Sequence, residues 1–131
     1  MSTKIITPIL LIGFSSMALA VEKSAPKNHV ICKAGIAAIM GRSPSIMKAS
    51  NIDGPVIGIS YIRKDDGTKW ALKCRILGNK IIWGNSDGRW RTDPLDGVVN
   101  YKIEKDSIVV AVRYYDGSES LEKYKISALG K

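Results

Sequence analysis

Histidine is nearly missing from this chain: its 131 residues contain one, His29. Nucleophilic catalysis needs a base beside the nucleophile, so a Ser-His-Asp or Cys-His site would have to be built on that residue alone. Cysteine is scarce too. Cys32 and Cys74 are the only two, and with one histidine they cannot complete a four-ligand zinc site without carboxylate help. They stand too far apart for the close Cys-x-x-Cys pair of a redox site. Gly84 to Gly88 lacks the Lys-Ser/Thr ending of a phosphate-binding loop, and Asn85-Ser86-Asp87-Gly88 lacks the later glutamate of a calcium loop. From these absences no catalytic residue, no metal site and no cofactor is expected. Acidic residues are few beside basic ones, 12 against 20, for a formal net charge of +8. That balance favours anionic surfaces, polymers or partners over basic ones.

What is present begins with an export signal. Lys4 supplies a positive start, Ile5 to Phe14 is apolar, and Ala18 and Ala20 form the small-x-small pattern that signal peptidase accepts. The apolar run is shorter than the about 20 residues needed to span a bilayer. Residues 1–20 therefore read as a signal peptide, 21–28 as a leader and 29–131 as a single domain. The expected location is the periplasm or the exterior, with no transmembrane segment after signal cleavage. Two cysteines in an exported chain read first as a disulfide, Cys32 to Cys74. Such a bridge would stabilise the fold by about 4 kcal/mol in the chain-entropy model.

The hydrophobic pattern predicts one helix and then strands. Asn28 is an expected N-cap. From His29 to Met40, Cys32, Ile36, Ile39 and Met40 recur on one helical face, and Gly41 is an expected stop. Gly35 inside the helix would let a neighbouring strand approach closely. The period then changes to two. Strands are expected at Val56–Arg63, Lys69–Leu77, Lys80–Gly84, Val98–Glu104, Ser107–Tyr115 and Leu121–Ile126, separated by turn signals. Short connections favour an antiparallel meander. The expected fold class is α+β, with one N-terminal helix packed on a meander of about six strands; a small, partly closed β-barrel is the alternative. Cys32 on the apolar helix face and Cys74 on the apolar strand face would pin the two layers together.

Acidic residues fall mostly in turns. Asp66, Asp87, Asp96 and Asp116 each precede Gly, which is ordinary turn chemistry. Cations are more distinctive. The alternation that turns Trp70, Leu72, Cys74 and Ile76 inward turns Lys69, Lys73 and Arg75 outward. Lys102 and Arg113 face outward by the same rule, with Tyr115 beside Arg113. Trp70 and Trp83 occupy core-facing positions, whereas Trp90 lies between Arg89 and Arg91 in the longest connection, a mobile aromatic anchor. Cations interleaved with aromatics can bind phosphates, sugars or anionic polymers. A solvated face whose lysines discourage aggregation has the same composition. Sequence-specific nucleic-acid recognition is not expected of an exported protein.

Ile31-Cys32-Lys33-Ala34, Met40-Gly41-Arg42 and Gly88-Arg89-Trp90-Arg91-Thr92-Asp93-Pro94 resemble a group of small exported proteins of unknown function from Gram-negative bacteria and their mobile elements. The resemblance implies a periplasmic setting and assigns no residue a role. The expected function is a non-enzymatic periplasmic binding protein acting on an envelope protein or an anionic polymer, within a mobile-element transfer or exclusion system. The alternatives are a small hydrolase using carboxylates in the Asp87–Asp96 loop, and attachment to anionic lipid or cell-wall polymer through charge.

Overall fold

A computed structural model describes residues 26–130. The expected signal peptide and most of the leader lie outside them. The chain opens with helix α1 (Asn28–Met40). Asn28 is the first helical residue rather than the N-cap; Lys27 holds that position and makes no side-chain cap bond. Gly41 ends the helix in the left-handed conformation, φ 66°, which costs glycine nothing.

Seven strands follow in one antiparallel sheet, ordered as in the chain: β1 (Lys48–Asp53), β2 (Val56–Ile62), β3 (Lys69–Leu77), β4 (Lys80–Asn85), β5 (Val98–Glu104), β6 (Ser107–Arg113) and β7 (Glu119–Lys125). A four-residue helix, α2 (Ile126–Leu129), closes the described chain. The class is α+β as expected, with seven strands instead of about six. The extra one, β1, reads Lys-Ala-Ser-Asn-Ile-Asp and buries almost nothing, so it carries no alternating apolar signal. The β1 and β7 edges do not pair, and the sheet stays open rather than closing into a barrel.

One face of the sheet curves around α1, which packs against every strand. Ile57, Ile59, Leu72, Cys74, Ile81, Val99, Ile108, Val110 and Val112 meet Ile31, Cys32, Ala34 and Ile36 there. The helix is buried around its whole circumference from Ile31 to Ala37, more than the single expected stripe, because α2 and the Pro44–Ile46 turn cover its far side. The ammonium of buried Lys33 donates to the Leu129 carbonyl at 2.9 Å. Gly35 takes the closest approach: a Cβ there would lie 2.7 Å from Ile81 Cδ1. Cys32 and Cys74 are joined in a disulfide with Cα atoms 6.0 Å apart, linking the helix to the middle of the sheet. Among the described residues no helix is long and apolar enough to cross a membrane.

Candidate functional site

The face of the sheet turned away from α1 is the site that the strand alternation builds. The register aligns Ser50, Gly58, Lys73, Gly84 and Trp90 in one row across it. Lys48, Ser60 and Ala71 form the neighbouring row. Ile62 pairs with Lys69, Arg75 with Ile82, and Lys80 lies between Leu77 and Asn100. Lys69, Lys73 and Arg75 therefore share the outer face, as expected.

Two glycines flank Lys73, and their lack of a side chain shapes this face. Ile52 folds over Gly58, where a Cβ would lie 2.9 Å from its Cδ1. At Gly84 a Cβ would collide with the Arg89 carbonyl. That carbonyl belongs to a segment running against the outer edge of β4, where the Arg91 amide donates to the Trp83 carbonyl at 2.8 Å. Strands β4 and β5 pair only at Lys80 and Asn100, and the chain from Asn85 to Gly97 occupies the gap where they diverge.

Trp90 is consequently fixed on the sheet, not carried on a mobile loop. Its ring centroid lies 4.6 Å from the Lys73 ammonium and 4.8 Å from the Arg75 guanidinium. Lys73 also donates to the Gly88 carbonyl at 2.6 Å. The neighbouring arginines are braced as well. Arg89 donates to both carboxylate oxygens of Asp96, at 2.9 and 3.0 Å, and Arg91 lies over the Trp83 ring at 5.4 Å and 3.6 Å from Asp96. The side chain of Asp96 is only 7% exposed. Its hydrogen bonds from Arg89 hold its carboxyl down at about 2, well below the ordinary aspartate range. A general acid must keep its proton near working pH, which Asp96 does not; its two hydrogen bonds from Arg89 brace this loop.

Arg113 and Tyr115 belong to another part of the molecule. Arg113 ends β6, three strands from β3, and lies 3.8 Å from Glu119; Tyr115 follows it in an exposed turn. The structure does not bring these two residues to the Trp90 cluster. Of the other cations of that half, Lys102 and Lys123 share Glu104 and Lys125 lies 3.8 Å from Asp106, whereas Lys105 in the β5–β6 turn forms no ion pair among the described residues. On the β1–β4 half, no ion pair forms at Lys48, Lys69, Lys73, Arg75 or Lys80 among the described residues. The uncompensated positive charge of the open face is gathered there. Lys48 and Lys80 escaped the sequence reading. Lys48 sits in the strand without an apolar signal, and Lys80 opens the expected Lys80–Gly84 strand, too short a run to show which face its first residue takes.

Trp70 and Trp83 lie on the helix side as expected, half-buried. Trp70 stacks on Tyr61, with ring centroids 6.3 Å apart. His29 Nε2 lies 2.8 Å from Asn51 Oδ1. An open groove of about 720 Å³ beside the start of α1 is lined by Lys27, His29, Lys33, Lys48 and Leu129. A second, of about 310 Å³, lies between Lys48 and Lys69 and is walled by Ile46, Ser60 and Ile62.

No protein-family model matches the chain, and neither a curated protein nor a solved structure matches it.

Proposed function

We propose that this chain is a non-enzymatic interaction protein of the cell envelope that recognises an anionic partner through the β1–β4 half of its open face. One observation carries the reading: Lys48, Lys69, Lys73, Arg75 and Lys80 share that half with no carboxylate paired to them among the described residues, while Lys102, Arg113, Lys123 and Lys125 on the strands of the other half each pair with a carboxylate. Uncompensated charge on a broad surface attracts an oppositely charged partner from a distance and fixes its orientation. The Trp90 clasp supports the reading by holding Lys73 and Arg75 in place, so less side-chain freedom is lost when a partner binds. The disulfide suits an oxidising compartment. The resemblance to small exported proteins of mobile elements makes transfer or exclusion at the envelope the proposed setting.

A heparin column tests the reading with two variants of equal formal charge. Lys48→Gln/Lys69→Gln/Lys80→Gln is expected to elute at much lower salt than the wild type. Lys102→Gln/Arg113→Gln/Lys123→Gln, which removes the same charge from the other half, is expected to elute close to it. Equal losses would mean that only net charge matters, and the assignment to the β1–β4 half would fail.

A further inference from the structure

The open face carries aliphatic side chains among its cations, and they have no counterpart in a purely ionic surface. Ile52 is 54% exposed, Ile62 60% and Leu77 60%. All three belong to β1–β3. Ile62 pairs with Lys69, Leu77 pairs with Lys80, and Ile52 lies over Gly58 beside Lys73. Aliphatic groups thus stand at both ends of the basic stripe. A soluble polyanion would neutralise the cations and leave these side chains in water. An interface of anionic headgroups over acyl chains meets both: cations contact phosphates, and apolar side chains enter the boundary beneath.

The groove at one end has the same two-part chemistry. Lys48 and Lys69 flank β2, Ser60 stands directly opposite Lys48, Lys69 stands one row along opposite Ile62, and Ile46 and Ile62 form apolar walls around about 310 Å³. A phosphate can be met there by two ammonium groups and a hydroxyl, with hydrocarbon against the isoleucines.

We infer that the β1–β4 face docks on an anionic phospholipid surface, with a lipid phosphate in the Lys48–Ser60–Lys69 groove and Ile52, Ile62 and Leu77 entering the interface. This goes beyond the anionic-partner reading but rests on the same basic half-face. The absence of a membrane-crossing helix among the described residues leaves surface contact as the mode that this face provides.

The test is co-sedimentation of the full mature protein with vesicles of phosphatidylcholine containing about 30% phosphatidylglycerol, and with phosphatidylcholine alone, at low and high salt. Binding is expected on the anionic vesicles only, weakened by salt. Ile52→Ser/Ile62→Ser/Leu77→Ser leaves every charge in place; it is expected to lose vesicle binding by about tenfold or more while keeping its heparin elution. Circular dichroism and a thermal melt confirm that the variant is folded. If that variant binds vesicles as the wild type does, the apolar contact is wrong and the inference falls. Retention on heparin without vesicle binding by the wild type overturns the lipid inference and leaves the basic-face reading standing, with a protein or soluble polymer as the partner. Failure on both supports overturns both.

Discussion

The Lys73 ammonium lies 4.6 Å from the centroid of the Trp90 ring, and the two residues reach each other across Gly84, which lacks the side chain that would separate them. Arg75 adds a second cation at 4.8 Å. Three residues from β3 and a distant loop therefore form one clasp on the outer face of the sheet. It ties the Arg89–Arg91 segment across β4 to β3 and sets two basic side chains in fixed positions.

The clasp predicts how Trp90 responds to truncation. A cation–π contact at a partly exposed site contributes about 0.5–1 kcal/mol, so Trp90→Ala should lower unfolding free energy by about 1–2 kcal/mol. That is less than the about 3–5 kcal/mol typical of deleting a fully buried aromatic. Trp90→Phe should recover part of the loss. Urea titrations of the three proteins decide it; identical midpoints would mean that the stack adds nothing to the fold.

Glycine is required at position 84 because the Arg89 carbonyl occupies the space of a Cβ. Backbone cannot step aside as the tip of a side chain can. Gly84→Ala should lift the Arg89–Arg91 segment, weaken the Arg91–Trp83 hydrogen bond and destabilise the protein by about 1–3 kcal/mol. Gly88→Ala is the control, because the nearest atom to its Cβ is Asn85 Cβ at an ordinary 3.4 Å. Hydrogen exchange at the Arg91 amide should rise in the first variant and hold in the second.

The contact between Gly35 and Ile81 is tight in a different way, since its partner is a side chain. Alanine is the better helix former by about 1 kcal/mol, yet in Gly35→Ala the new methyl meets Ile81 Cδ1 at 2.7 Å and Cγ2 at 2.9 Å. The single variant should be destabilised. Adding Ile81→Val removes Cδ1, and the double variant should be more stable than the sum of the two single changes predicts. Strict additivity in thermal or denaturant melts would show that the two positions do not press on each other.

Much of this fold was legible because the strands alternate. Trp70, Leu72, Cys74 and Ile76 are spaced so that the inward and outward sets of β3 follow directly, and the disulfide joins two faces that each looked apolar on its own. Strand β1 was not legible, because an edge strand with one half-buried alanine carries no period. Nor was α2, which is too short to show helical spacing although it buries Leu129. Lys69, Lys73 and Arg75 were readable as one stripe, while their tie to Trp90 was not. That contact depends on where a long connection returns to the sheet, and no local pattern in Asn85–Gly97 encodes the return. Asp96 looked like a turn residue for the same reason.

The disulfide predicts a larger loss than any of these contacts. Cys32 and Cys74 are both fully buried, and replacing both by alanine removes a bridge between the helix and the centre of the sheet. The cost should be about 2–5 kcal/mol. Mass spectrometry of non-reduced, denatured protein treated with an alkylating agent should find neither thiol modified. Modification of both would show that the bridge is absent.

The Arg89–Asp96 pair gives the fold a defined response to acid. Asp96 is held at about 2 in the folded protein, against about 3.9 for an unperturbed aspartate. Because the folded value is the lower one, the unfolded chain binds the proton more readily, and stability falls as the solution becomes more acidic. The contribution of Asp96 is complete above about pH 4 and is lost as the pH falls through about 2. Asp66 and Asp116 act in the same direction, lowered by hydrogen bonds from Thr68 and Ser118. Glu104 does so through its hydrogen bond from Lys102. Asp96→Asn removes one titrating group and leaves those three. The stability gap between wild type and Asp96→Asn should stay constant from neutral pH down to about pH 4.5 and narrow toward pH 2. Urea unfolding at a series of pH values measures it. A gap that stays flat to pH 2 would mean that Asp96 has the same affinity for protons folded and unfolded, which a doubly hydrogen-bonded carboxylate against Arg89 does not allow.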